Sequence, residues 1–227
     1  MATHDAPGWY GKLAVLGDFA SRRLASEWVQ GWDHWLSAGL QASQHQLGTQ
    51  WLDTYLAAPV WRFGWAPGVA GAPWWFGVLM PSCDNVGRYF PLVVLQSRAQ
   101  PPADRFGFDH LELWWRHLAG AALQTLEVGA TLAAFEAALH DAPPWPGAPA
   151  SAALRPMLDA SYERFAVSPG ATLDAMVHAL AADALKRQWA GHSFWWPVPA
   201  GGVGGHCTMV PGLPPQTAFA DLLRGDW

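Results

Sequence analysis

The sequence predicts an α/β fold, a three-layer sandwich in which a central mixed, largely antiparallel sheet is flanked by helices on both faces. Three observations carry this. The segments WWFGVLM (residues 74–80) and PLVVL (residues 91–95) are apolar at consecutive positions; a strand alternates its faces, so both faces of these strands must be covered. Around them lie segments whose apolar residues recur at steps of three and four, the spacing of helices that bury one side. Charged residues make up only 14% of the chain and hydrophobic ones 51%, against about 25% charged in an average protein, which leaves little polar material to turn a sheet face toward water.

The elements follow in order. GWYGKLAVL (residues 8–16) reads as a first strand and GDF (residues 17–19) as the turn leaving it. Trp28, Val29, Trp32, Leu36 and Leu40 then share a helical face, in a helix ended near Gly48. Thr49 is placed to cap a second helix, QWLDTYLAA, stopped by Pro59. VWRFGWA and WWFGVLMPS look like strands, and YFPLVVLQS like a third after the loop at Cys83 to Arg88. Residues 108–127 form a long helix with Leu111, Trp114, Trp115, Leu118 and Ala122 on one face, and residues 132–140 a shorter one. DAPPWPGAPA (residues 141–150) is the boundary signal. It divides an N-terminal segment, residues 1–141, from a C-terminal helical and hairpin segment, residues 150–227, packed into the same domain. In the latter, Leu173, Met176, Val177, Leu180 and Ala184 share a helical face, HSFWWPV and HCTMV form a last hairpin, and PQTAFADLL a terminal helix.

Composition excludes several functions. A formal net charge of -5 with scattered Lys and Arg offers no basic stripe to neutralise phosphates, so nucleic acid is not expected as a partner. Cys83 and Cys207 lie far apart, outside any zinc-ligand spacing, which suits a reduced compartment. The N-terminus shows no cationic region followed by an apolar one. Residues 63–83 carry no charge, but Pro67, Pro73 and Pro81 interrupt them, which fits two strands and a turn better than a membrane helix. A cytoplasmic protein without direct membrane insertion is expected.

The sharpest chemical candidate is LMPSCDNVGRYFPL (residues 79–92), in which Cys83 could be a nucleophile and Arg88 its anion clamp. A phosphatase-type loop needs five residues between the two; here stand four, Asp84, Asn85, Val86 and Gly87. Asp84 beside the sulfur also disfavours the thiolate. A turn of Asp-Asn type with Gly87 in a conformation other residues resist is the better reading. AGGVGGHC lacks the third glycine of a dinucleotide loop, since Cys207 stands in its place, and reads as a hairpin loop. Ser193 has no nucleophile elbow. His110 and His117 are seven apart and read as helix surface rather than metal ligands. Lys12, Asp18, Asp84 and Arg88 admit an acid/base cluster, but ion pairing that holds two loops together is preferred. The pairs Trp74/Trp75 and Trp195/Trp196, among 16 tryptophans, must each point to opposite sheet faces.

Four stretches, GWYGKLAVLGDF, WDHWL, APVWRF and GVLMPSCDNVGRYFPL, together resemble the TagF (ImpM) family of type VI secretion-associated proteins, from about residue 8 to the proline-rich break, with weaker similarity in SFWW and GLPPQTAFADLL. The motif positions are Gly11, Lys12, Gly17, Asp18, Phe19, Trp61, Arg62, Phe63, Ser82, Asp84, Gly87, Arg88, Tyr89, Phe90 and Pro91. Two departures are Ala14, where the family commonly has proline, and Cys83, where a small apolar residue is usual. The resemblance implies a cytoplasmic bacterial accessory protein that represses the secretion machine after translation, through its forkhead-associated scaffold protein. No catalytic role, metal or cofactor carries over.

The expected function is thus a non-enzymatic regulator. Lys12, Asp18, Phe19, Arg62, Ser82, Asp84, Arg88 and Tyr89 are its candidate partner-binding or loop-organising residues, with the two loops converging at one end of the sheet. Two alternatives stand beside it: a hydrolase using Cys83 or an Asp18/Asp84 carboxylate pair, and a structural assembly subunit.

Overall fold

The computed structural model describes residues 6–102, 105–145, 155–157, 164–166, 169–170, 172–198 and 206–227. In chain order these form β1 (Gly8–Gly11), β2 (Ala20–Arg22), α1 (Ser26–Leu47), α2 (Trp51–Ala57), β3 (Trp61–Trp65), β4 (Trp74–Met80), β5 (Leu92–Arg98), α3 (Arg105–Gln124) and α4 (Leu132–His140). Then come β6 (Arg155–Met157), β7 (Arg164–Ala166), α5 (Leu173–Trp189), β8 (His192–Pro197), β9 (Thr208–Pro211) and α6 (Phe219–Arg224). Seven strands make one sheet in the order β2-β1-β5-β4-β3-β8-β9, and β6 and β7 pair separately. Every strand pairing is antiparallel, so the largely antiparallel sheet of the sequence reading is antiparallel throughout.

Two cores, one on each face, account for the continuous apolar runs. Trp74, Phe76, Val78 and Met80 of β4, with Leu92 and Val94 of β5, pack against Leu111, Trp114, Trp115 and Leu118 of α3 and Phe135 of α4. The alternate residues, Leu79 of β4 and Val93 and Leu95 of β5, join Trp61, Phe63 and Trp65 of β3 against Trp32, Leu36 and Leu40 of α1 and Phe219 of α6. The tryptophan pairs divide between them: Trp74 and Trp196 belong to the α3 side, Trp75 and Trp195 to the α1 side. Indoles stack in a row across the second core, Trp75 on Trp28 at 4.4 Å and Trp32 on Trp65 at 4.1 Å between centroids. Offset contacts of this kind stabilise beyond the area they bury.

Several sequence expectations are corrected. The first strand stops at Gly11 instead of running to residue 16, and the short polar edge strand β2 follows the turn. Thr49 does not cap α2: it lies in a 3-10 turn, Gln50 is the N-cap, and no side-chain cap bond forms. By contrast Thr131 does cap α4, its hydroxyl accepting from the Ala134 amide at 3.1 Å. The stripe on α5 shares a helical face, but Leu173, Val177 and Leu180 are exposed. That helix is held at its last turn, where Trp189 meets Phe194 at 4.8 Å and Lys186 donates to Gln100. The proline-rich boundary and the glycine-rich stretch between β8 and β9 lie largely outside the described residues. Among the described residues no helix is long and apolar enough to cross a membrane.

Candidate functional site

The strand ends at one edge of the sheet create the site. β1 finishes at Gly11, paired with Leu92 at the start of β5. Gly11 has φ +134, and a Cβ there would lie 2.1 Å from the Pro91 carbonyl oxygen, so only glycine lets β1 pass this close. The chain then turns and sends Lys12 inward instead of continuing as strand.

Lys12 meets Asp84, which the end of β4 carries to the same place. Both are buried, at 4% and 2% exposure, and Lys12 Nζ donates to Asp84 Oδ2 at 2.8 Å. Arg88 Nε donates to the same oxygen at 2.7 Å, while Oδ1 accepts from the amides of Val86 at 3.1 Å and Arg88 at 2.8 Å. Burial alone raises a carboxyl, but the bonds from Lys12, the Arg88 amide and guanidinium, and the Val86 amide outweigh it. They hold Asp84 well below the usual carboxylate range.

The turn itself is the one its residue types require. Asp84 and Arg88 pair through the backbone, the Gly87 amide donates to Asp84 O, and Gly87 takes φ +79. Cys83 bridges antiparallel to Tyr89, so its backbone serves the hairpin's neck.

Five hydrogen bonds and an ion pair tie this hairpin to its neighbours. The Asn85 amide donates to Leu16 O at 3.0 Å, Arg88 Nη2 to Gly17 O at 2.6 Å, and Ser82 Oγ to Lys12 O at 2.8 Å. Asp18 stands 3.9 Å from Arg88. From α2, the Tyr55 hydroxyl donates to Ser82 O at 2.8 Å and accepts from the Ser82 amide at 3.0 Å. Burial pushes the Tyr55 phenol above its ordinary value, which keeps the donated proton in place. Phe19 packs on Phe90 at 4.8 Å and lies under Lys12 Nζ at 4.8 Å, and Tyr89 sits beside Trp51 and Tyr55.

Seven of the eight candidate residues therefore meet at this edge, and Arg62 does not. It alternates with Trp61 and Phe63, so it faces α3, where it pairs with Glu112 at 2.5 Å and donates to Pro197 O at 3.1 Å. The sequence reading missed Tyr55, whose place in a short amphipathic helix gave no sign that its hydroxyl would clamp Ser82. Ser193 is consumed structurally, donating to Gly212 O and accepting from Trp195 Nε1. His117 reaches Ala138 O of α4. Among the described residues no group of three or more His, Cys, Asp or Glu could hold a metal ion. Tyr55→Phe removes both bonds to Ser82 and leaves its buried amide unpaired. It is expected to lower stability by about 1–3 kcal/mol, read from the midpoint of urea unfolding with the near-ultraviolet spectrum unchanged.

The arrangement organises loops more than it offers reactive atoms. Four donors converge on Asp84, two at each oxygen, while Asp18, Phe19, Val86 and Arg88 reach solvent. Residues 8–142 match the TagF N-terminal domain, type VI secretion system-associated. No curated protein matches the chain. Among solved structures, the crystal structure of PA0076 from Pseudomonas aeruginosa PAO1 at 2.05 Å resolution is similar, with 38% sequence identity and a TM-score of 0.77. The likeness covers 97% of this chain and 94% of that one. By these matches, the chain belongs to the TagF family of type VI secretion system-associated proteins.

Proposed function

We propose that the protein is a cytoplasmic, non-enzymatic regulator that represses a type VI secretion system after translation by binding its forkhead-associated scaffold protein. One observation supports this above the others: the most highly organised polar cluster consumes its charges in fixing two loops. A carboxylate kept ionised and already bonded at both oxygens is a poor proton carrier, which disfavours an Asp18/Asp84 acid/base pair. Arg88, standing between those two carboxylates, disfavours it further. The Cys83 backbone is committed to the hairpin neck, and the loop tips beyond it face outward, as a binding surface requires.

Deletion of the gene tests the reading by effector secretion. Increased secretion is expected, restored to the parental level by the intact chain, and the purified chain is expected to capture the scaffold protein. Abolished secretion would identify a structural assembly subunit instead. Unchanged secretion contradicts both.

A further inference from the structure

We propose that the edge formed by Phe19, Val86 and the outer face of Arg88 is a preorganised, charge-neutral contact surface that fits an uncharged apolar patch on the scaffold protein. This rests on the binding reading above and specifies the chemistry of its surface. Val86 is the key anomaly. It is 68% exposed, at a turn tip between Asn85 and Gly87, where turn chemistry favours small or polar residues and gives a β-branched side chain no advantage. Phe19, on the neighbouring loop, is 45% exposed although its ring edge packs on Phe90. Tyr89 continues the apolar character toward Trp51, beyond which Leu52 and Leu56 are exposed on α2.

Two features select the occupant. Lys12 and Arg88 against Asp18 and Asp84 sum to zero charge, so nothing at this edge attracts a strongly charged partner. The Arg88 guanidinium, the group that could grip a phosphate, already gives Nε to Asp84 and Nη2 to Gly17 O, so two of its three nitrogens are committed within the molecule. The tip is also rigid: the amides of Val86 and Arg88 both donate to Asp84 Oδ1, so little conformational freedom is lost when an apolar partner covers it. Lys12, Ser82 and Asp84 are positioning residues, and Val86 and Phe19 make the contact.

The test measures affinity of the full chain for the intact scaffold protein by calorimetry. Val86→Glu and Phe19→Ser are expected to weaken binding at least about tenfold, with circular dichroism unchanged in both and melting temperature unchanged in Val86→Glu, and Val86→Ser by less than Val86→Glu. Leu113→Glu, at an exposed position of α3, is expected to bind as wild type. Raising salt is expected to change the wild-type affinity by less than about threefold. Wild-type affinity in both Val86→Glu and Phe19→Ser, or a steep loss of affinity with salt, overturns the proposal while leaving scaffold binding intact. No binding by the wild type overturns both.

Discussion

Replacing Lys12 with methionine is expected to lower the melting temperature by about 10 °C, because it removes the cation from a buried carboxylate while leaving the shape nearly unchanged. The remaining donors to Asp84, from Val86 and Arg88, stay in place, but only the half-exposed Arg88 is left to oppose the charge. A companion substitution locates the cause. Asp84→Asn in the Lys12→Met background removes the stranded charge and is expected to recover part of the loss, a positive coupling in the double-mutant cycle. Acid titration gives a second readout. The folded Asp84 carboxyl lies below its unfolded value, which is about 4. The unfolded chain therefore takes up the proton first as pH falls. The contribution is complete above about pH 5 and is lost progressively as pH drops through the folded value. Asp84→Asn should flatten that acid limb. A Lys12→Met protein that melts with the wild type and shares its acid limb would contradict the cradle's role.

Gly11→Ala is expected to cost more than about 4 kcal/mol and to yield little soluble protein, since it combines a positive φ with a direct backbone collision. The added Cβ would meet Pro91 O at 2.1 Å and Leu92 Cα at 3.0 Å, and both belong to the backbone, which has no rotamer to give. Relief requires β1 to move off β5, and Lys12 moves with it. Gly87→Ala supplies the contrast. Gly87 also has positive φ, +79, yet nothing lies within 4 Å of its would-be Cβ, so only the conformational penalty of about 1–2 kcal/mol applies. Soluble yield and urea midpoints of the two variants should separate by that margin; equal losses would mean that the close approach at Pro91 is not what fixes this edge.

The sheet interior was legible because its signal is local. Consecutive apolar residues in β4 and β5 can only mean two covered faces, and the indole pairs divided accordingly. Elements whose reason lies elsewhere in the molecule were harder to read. β2 is three residues, Ala20–Arg22, with a partly exposed pattern and no alternation to detect. Residues 12–16 look like strand because Leu13, Val15 and Leu16 are apolar, but Gly11 ends the pairing and Leu13 is buried as a plug in the α3-side core. At the site, turn chemistry revealed the hairpin from Asp84 to Arg88, and an ion-paired link to the first loop could be argued from residue types. Its components could not be sorted that way: Arg62 stands among the same motif residues and is sent to the opposite face by strand alternation. Tyr55 was invisible because its role depends on where α2 docks.

The position of β8 has a consequence for how the protein is made. β8 lies beside β3 in the sheet, Trp195 covers Phe63 at 5.0 Å, and Phe219 of α6 closes over Trp35 at 4.9 Å. These covering pieces are synthesised more than a hundred residues after β3. Until they leave the ribosome, β3 is an open edge with an aromatic row bare on one side, the kind of surface that recruits chaperones or pairs with a neighbouring nascent chain. Such long-range closure also slows folding. The loops around Asp84 are complete much earlier in synthesis, so the edge proposed to meet the partner can take shape before the sheet behind it is sealed.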